Sequence, residues 1–482
     1  MLTRIYLCML IMACFSFPLQ AQNDNIWSLR KCLDYAKENN LQLQQAQLNL
    51  ESSEVELARN RASRMPNLNA GVGTGANFGY AINPFTNQFV NQTTQSLNAG
   101  LSSGVTIYNG GRLTNSINQA AIDYKARSFD LEQAEYDLSL NVVLAYLNIL
   151  RNAEIVESAK TQVISTKQQR DRTEKLVKAG NLAQADLLQL ESQIATNELA
   201  VVNAQNLLET AYLNLMQILR LDPSQAFGIV KLELDDPEGN LMEGMNLGEI
   251  MNRANETQPF VKSAELDVES SELGVKIARS NMMPSVTASG SVGTGWASGR
   301  AIPTGEIETL VDTIAFPLSI NNGEFSDARS IATSTKNLTE AYTFPRQMTD
   351  NINASVSLSL NIPIYNRRNN LSGIQQAEIQ QKRAVLNAEI TKQTLEQNIQ
   401  QAYVNAKSAL STYSSTNKQI EALSLTFNNA EKQFNLGILN SVDYLLAKNN
   451  LDRAQNDLVQ AKYDYIFRIK VLDFYLGKPL DF

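Results

Sequence analysis

The chain has 482 residues, no histidine, three cysteines and a formal net charge of −8. An acidic balance without any basic run excludes a nucleic-acid partner, and the lack of histidine leaves no soft-metal set. Past the first twenty or so residues nothing approaches the length of a membrane-spanning helix, so any place in a membrane would have to rest on strands.

In chain order, residues 1–21 read as a secretory signal: Arg4 supplies the positive end, Ile5 to Phe17 the apolar stretch, and Leu19-Gln20-Ala21 a small-residue cleavage site. Removing it takes Cys8 and Cys14 away and leaves Cys32 as a lone thiol, which allows no intramolecular disulfide. Ile11-Met12-Ala13-Cys14 is a poor lipoprotein box, and lipidation at Cys14 stays open. Residues 22–222 form a first unit. Trp27 to Asn40 predicts a short amphipathic helix capped by Ser28, and a helix of about two dozen residues then closes at Met65-Pro66. Strands are predicted over 66–80 and 96–108, joined by an exposed loop. A proline-free run over 112–178 predicts one long helix, Gly180 a break, and 182–220 a return helix. A link over 223–244, with Pro223 and Pro237, connects the two units outside the helices. The second unit, 245–482, repeats the order: a short helix capped by Asn246, a helix over 260–282, strands over 284–296 and 352–365, a long helix over 369–435 and a return helix over 439–477. Everything outside the strands and their loops reads as helical. Residues 297–351, rich in Asn, Thr, Pro and Gly, predict a long exposed loop between the second pair of strands.

The strands carry the most specific pattern. Leu68, Val72 and Phe78, Leu101 and Val105, Val292 and Trp296, and Val356, Leu358 and Leu360 share one parity in their strands, with Gly, Ser and Asn on the other. Successive side chains point to opposite faces, so each strand has an apolar wall and an uncharged wet wall. A soluble sandwich also alternates, but strands of about ten residues with almost no charge on the polar face are the mark of transmembrane β-strands around water. The apolar residues are then lipid-facing. Four such strands cannot close a barrel, which needs about eight or more and leaves no edge in lipid, so several chains must supply strands to one barrel.

The two units are one pattern written twice. Ala36 and Ala254, and Pro66 and Pro284, stand 218 apart. From the second strand onward the spacing is 257: Tyr108 and Tyr365, Tyr146 and Tyr403, Gly180 and Gly437, Asp186 and Asp443. Register kept over more than a hundred residues indicates internal duplication. In the long helices, Leu138, Val142, Ala145 and Ile149 form one seam and Leu140, Val143, Leu147 and Leu150 another, which predicts neighbours on two sides, as in a bundle. About 67 residues at 1.5 Å each make a rod of ~100 Å.

This arrangement resembles the TolC family of outer-membrane efflux proteins, over essentially the whole chain after the signal. The most specific segments are Tyr108-Asn109-Gly110-Gly111-Arg112 and Pro363-Ile364-Tyr365-Asn366, which are similar to the family's strand-to-helix junctions. The resemblance implies an α+β membrane protein: a long coiled-coil-like helical bundle with four antiparallel transmembrane strands per chain, completing a twelve-stranded barrel as a homotrimer. It further implies a place in the Gram-negative outer membrane, extending into the periplasm, among outer-membrane lipid. The implied partners are a periplasmic adaptor (a membrane fusion protein) and an inner-membrane pump, with efflux of small molecules or, alternatively, type I secretion of polypeptides. No catalytic residue, cofactor or metal is implied.

At the tips, the resemblance implies turn and adaptor contacts at Ala179, Gly180, Leu436, Gly437 and Leu439, and aperture positions at Asp186, Asp443 and Leu446. Leu439 stands where the family often has an arginine in a Val-Gly-x-Arg motif, and Leu446 stands in place of the second of two acidic rings. Three Asp443 carboxylates near an axis would concentrate cations. The plainer alternatives are that Asp186 and Asp443 stabilise first helical turns, and that Leu439 is a bundle contact rather than an inner seal. A non-conducting periplasmic scaffold or adhesion protein is the competing class, although it would not need two-faced uncharged strands.

Overall fold

The computed structural model describes residues 25–82, 89–91, 93–231, 246–319 and 325–478; the predicted signal and residues 232–244 of the predicted link lie outside them. The elements in order are β1 (Ile26–Trp27), α1 (Leu29–Asn39), α2 (Leu41–Ala62), β2 (Asn67–Asn77), β3 (Tyr80–Ile82), β4 (Phe89–Asn91), β5 (Thr94–Asn109), α3 (Arg112–Lys178) and α4 (Gln184–Leu219). They continue with β6 (Gly228–Ile229), α5 (Leu247–Thr257), α6 (Pro259–Ser280), β7 (Ser285–Ala297), β8 (Ala301–Ser319), β9 (Phe325–Ala341), α7 (Phe344–Asp350), β10 (Asn353–Asn361), α8 (Asn369–Asn435) and α9 (Ser441–Tyr475). The chain divides into a helical unit (residues 1–57, 119–272 and 378–482) and a strand-rich unit (58–118 and 273–377).

In the helical unit, Ser28 accepts from the Lys31 N–H (3.3 Å) and starts α1. Spacing of three and four then puts Leu29, Cys32 and Ala36 on one face, buried against Val142, Val143 and Tyr146 of α3 and Leu215 and Leu219 of α4. A matching cluster joins Ile250 and Ala254 of α5 and Val261 of α6 to Leu395 and Ile399 of α8. Residues 257 apart, Leu138 and Leu395 or Val142 and Ile399, hold corresponding places in the two clusters. A further cluster packs Ala402, Ala406 and Ala409 of α8 under Tyr465, Ile469 and Leu472 of α9, small residues bringing one helix close to the large ones of the next.

The link does not run free of the helices at its start, contrary to the sequence expectation. Gly228 N donates to Asn25 O (2.8 Å) and Val230 N to Trp27 O (2.9 Å), so β1 and β6 pair in parallel. Phe227 and Ile229 are packed onto the core, Trp27 meets Tyr35 and Phe227 edge-on, and Tyr146 Oη donates to Val230 O at 2.6 Å. Two-residue strands have no readable period, which hides them from sequence analysis.

Cys32 is fully buried, and loss of hydration pushes its thiol up to about 12 despite the nearby Lys31 charge. That leaves roughly one thiol in ten thousand ionised at pH 8. A maleimide should therefore label Cys32 only after unfolding; stoichiometric labelling of the folded protein would contradict the packing.

The strand-rich unit holds one antiparallel sheet in the order β10-β7-β5-β2. Its register aligns the apolar parities across all four strands: Val72 with Ala99, Leu101 with Val292, Leu358 with Ala288, Leu360 with Val286. A bulge between Thr106 and Tyr108 resets β5, so Tyr108 rather than Ile107 stands opposite Val286. The predicted strands are corrected at several ends. Phe78 lies beyond β2, at a bend where Gly79 takes φ 120, and Pro363 and Tyr365 lie beyond β10. Proline has no N–H to give a ladder, which stops β10 short of Pro363.

The predicted loop 297–351 is also corrected. It contains an antiparallel hairpin, β8 with β9, followed by the short helix α7. Gln347 of α7 acts as a strand partner in miniature: it accepts from Ala297 N (2.9 Å) and donates to Ala297 O (3.1 Å). The shorter connection carries a three-residue hairpin of β3 and β4. Polar residues on both faces of these hairpins blur the two-residue period, so composition alone reads as loop.

Candidate functional sites: the two-faced sheet and the helix tips

The sheet has two chemically distinct faces. On one stand Leu68, Val72, Leu101, Val292, Val356, Leu358 and Leu360, all exposed, with Val105 half-buried. Trp296 is on that face too but is half-buried against Phe344 (ring centroids 5.8 Å apart), which takes it out of the open wall. The other face carries serine pairs that bond across strands, Ser289 to Ser357 (2.7 Å) and Ser291 to Ser355 (2.8 Å). On β2 that face presents Gly71, Gly73 and Gly75, and a Cβ added at Gly71 or Gly73 would meet nothing within 4 Å. Among the described residues no neighbour demands glycine at positions 71 and 73. Both outer strands, β2 and β10, keep an unpaired edge in the single chain.

Where strand becomes helix, the backbone must turn through two consecutive left-handed residues. Gly110 and Gly111 do so after β5 with φ 66 and 83; after β10 the same places, 257 residues on, are held by Arg367 and Arg368 with φ 58 and 65. Glycine is required at 110, since a Cβ would lie 2.4 Å from Met283 Cβ, whereas two arginines at 367–368 cost about 1–2 kcal/mol each in backbone strain. Asn109 and Asn366 then accept from Leu113 N and Asn370 N, capping the first turns of α3 and α8. The sequence reading singled out Tyr108, Gly110, Gly111, Pro363 and Tyr365 here but missed the arginine pair, because nothing in residue type signals left-handed arginine.

At the other ends of α3 and α8 the chain reverses at Gly180 and Gly437, with φ 79 and 70. Asn181 N donates to Leu176 O and Gly180 N to Val177 O, and Ile438 N to Gln433 O and Gly437 N to Phe434 O; both are Schellman turns that require a left-handed residue. The two tips pack together through Leu190, Phe434, Tyr444 and Leu445, with Phe434 stacked on Tyr444 at 4.7 Å. Leu439 is half-buried against this cluster. Ala179, Gly180, Leu436, Gly437, Ile438 and Leu446 are exposed. Asp443 bonds reciprocally with the N-cap side chain of Asn440: its N–H donates to Asn440 Oδ1 and its carboxylate accepts from Asn440 Nδ2, both at 2.8 Å. The Asp186 carboxylate accepts from Ala183 N (3.1 Å). Both acids thus have local work at helix starts, and Asp443 remains solvent-exposed.

Comparison with known proteins adds to this geometry. Residues 32–219 and 250–478 match the model of a family described as outer membrane efflux protein. No curated protein matches. Among solved structures, the chain is similar to CusC, solved in a study of folding and transmembrane channel formation, with TM-score 0.74 and 17% identity over 94% of this chain and 92% of that one. It is similar to the CmeC outer membrane channel of Campylobacter jejuni (TM-score 0.69, 18% identity, 93% and 85% covered). The open-state MtrE outer membrane channel of Neisseria gonorrhoeae is similar as well (TM-score 0.68, 19% identity, 94% and 89% covered).

Proposed function

The chain belongs to the outer membrane efflux protein family, and from that membership we propose that it is the outlet duct of a tripartite pump. It is an efflux protein of the outer membrane, not an enzyme. Three copies contribute four strands each to a twelve-stranded barrel filled with water, and their helices form the periplasmic part of the duct. Each chain is an internal duplication, so three chains give six similar hairpin tips. Cargo is small molecules, a reading supported by the family's description as efflux proteins. A pump in the inner membrane drives them through a periplasmic adaptor, and the chain itself supplies passage and no chemistry.

One observation carries this reading: a sheet with an exposed aliphatic face, an uncharged Gly/Ser/Asn face and two unpaired edges. An edge cannot stay open in lipid. With four strands, β2 and β10 run in opposite directions, so β2 of one copy beside β10 of the next keeps the whole barrel antiparallel. The exposed apolar residues Leu436 and Ile438 at the tips suit an adaptor contact. Purified protein added to liposomes should give a defined conductance, and a scaffold would give none. Asp443 and Asp186 are assigned to the periplasmic aperture, with Leu446 as an uncharged ring. Asp443→Ala should weaken block of that conductance by multivalent cations, read as a higher half-blocking concentration; unchanged block removes the assignment.

A further inference from the structure

We propose that Arg367 and Arg368 grip the phosphates of anionic phospholipids in the leaflet nearest the helices. The proposal rests on the membrane reading of the sheet given above. Within about a dozen residues the chain after β10 passes through three chemistries. Val356, Leu358 and Leu360 continue into Ile362 and Ile364, the last 93% exposed; Tyr365 follows, 81% exposed; then come the two arginines. Apolar, aromatic, cationic is the order a bilayer presents from its core through its interface to its phosphates.

The backbone supplies the second observation. The fold needs two left-handed residues at this turn, and the first half of the chain meets the need with Gly110-Gly111. Using arginine at both equivalent places is sterically unfavourable. No packing within the protein accounts for it: both side chains are exposed, and among the described residues neither guanidinium has a carboxylate or hydrogen-bond partner. Arg64 and Arg112, by contrast, are tied to Thr114 (3.2 Å) and Asn281 (3.5 Å). A guanidinium's fork matches phosphate oxygens two at a time, which no neighbouring group here does.

Charge distribution supplies the third. No Asp or Glu occurs in residues 58–118, 273–305 or 352–377, which include the sheet strands and every turn joining them to helices. Those segments nevertheless contain Arg59, Arg61, Arg64, Arg112, Lys276, Arg279, Arg300, Arg367 and Arg368. The acids of the strand-rich unit fall instead between Glu306 and Asp350, in the connection that leaves the opposite ends of β7 and β10. The turns at Gly110-Gly111-Arg112 and Arg367-Arg368 thus carry arginine in segments that hold no acid of their own, which suits an anionic surface.

The test uses the full-length protein reconstituted in bilayer nanodiscs of phosphatidylcholine, with and without phosphatidylglycerol. The readout is the lipid retained after detergent extraction, measured by native mass spectrometry. The variant R367G/R368G is chosen because glycine fits the left-handed turn, as it does at 110–111, so folding is preserved while charge is lost. Wild type should retain phosphatidylglycerol preferentially, and the variant should lose that preference by about fivefold or more, the size expected for removing surface cations next to anionic lipid. Excess inorganic phosphate should not displace the lipid. Equal retention by wild type and variant, with both inserted, overturns this proposal and leaves the membrane reading standing. Displacement by inorganic phosphate overturns it in favour of a free-anion site. Failure of both proteins to insert overturns the membrane reading and this proposal with it.

Discussion

Val356→Arg should prevent stable insertion, whereas Ser357→Arg on the neighbouring residue should leave insertion intact and alter the conductance. Val356 is 91% exposed on β10, and Ser357 bonds to Ser289 on the opposite face. An arginine on the lipid face of a β-barrel costs about 2–4 kcal/mol at mid-membrane, and a trimer would carry three. An arginine on the other face stays hydrated and puts three positive charges into the lumen, which should favour anions over cations. The measurement is the fraction of chains recovered in proteoliposomes, followed by ion selectivity. Equal recovery of both variants would mean that the faces are wrongly assigned.

The second large effect concerns Tyr146. Its ring is fully buried in the core shared by α1, α3 and α4, and its hydroxyl donates to Val230 O. Tyr146→Ala removes an aromatic side chain from a packed site, at a cost of about 3–5 kcal/mol. The Val230 carbonyl also loses its donor. Tyr146→Phe keeps the ring and forfeits only the hydrogen bond, so it should cost about 1–3 kcal/mol. Tyr403, 257 residues on, is only partly buried and its replacement by Ala should cost less than that of Tyr146. Thermal unfolding of the variants reads this order directly; a Tyr403→Ala loss equal to that of Tyr146→Ala would contradict it.

Much of the fold is legible in the sequence because its elements are long. Alternation over ten residues at Asn353–Asn361 or Asn67–Asn77 leaves little room for another period, and proline-free runs punctuated by Gly180 and Gly437 mark where helices begin and end. Short pieces are not legible. The pairing of Ile26–Trp27 with Gly228–Ile229 depends on a tertiary neighbour, and the β8–β9 hairpin lacks a clean alternation. Exceptions defined by backbone angle escape altogether: Arg220, Arg367 and Arg368 are left-handed where the other half has Gly477, Gly110 and Gly111. Arg220 is compensated by donating to Asn39 O (3.0 Å), a contact across 181 residues that residue type could not foretell. At the tips, residue type placed Asp443 in a first helical turn, while its reciprocal bonds with Asn440 and the packing of Leu439 needed coordinates.

The central claim is that an incomplete sheet is finished by further copies of the same chain. Native mass spectrometry of the protein extracted in mild detergent tests it most directly. A particle of three chains is the predicted result, and a stable single-chain particle would contradict it.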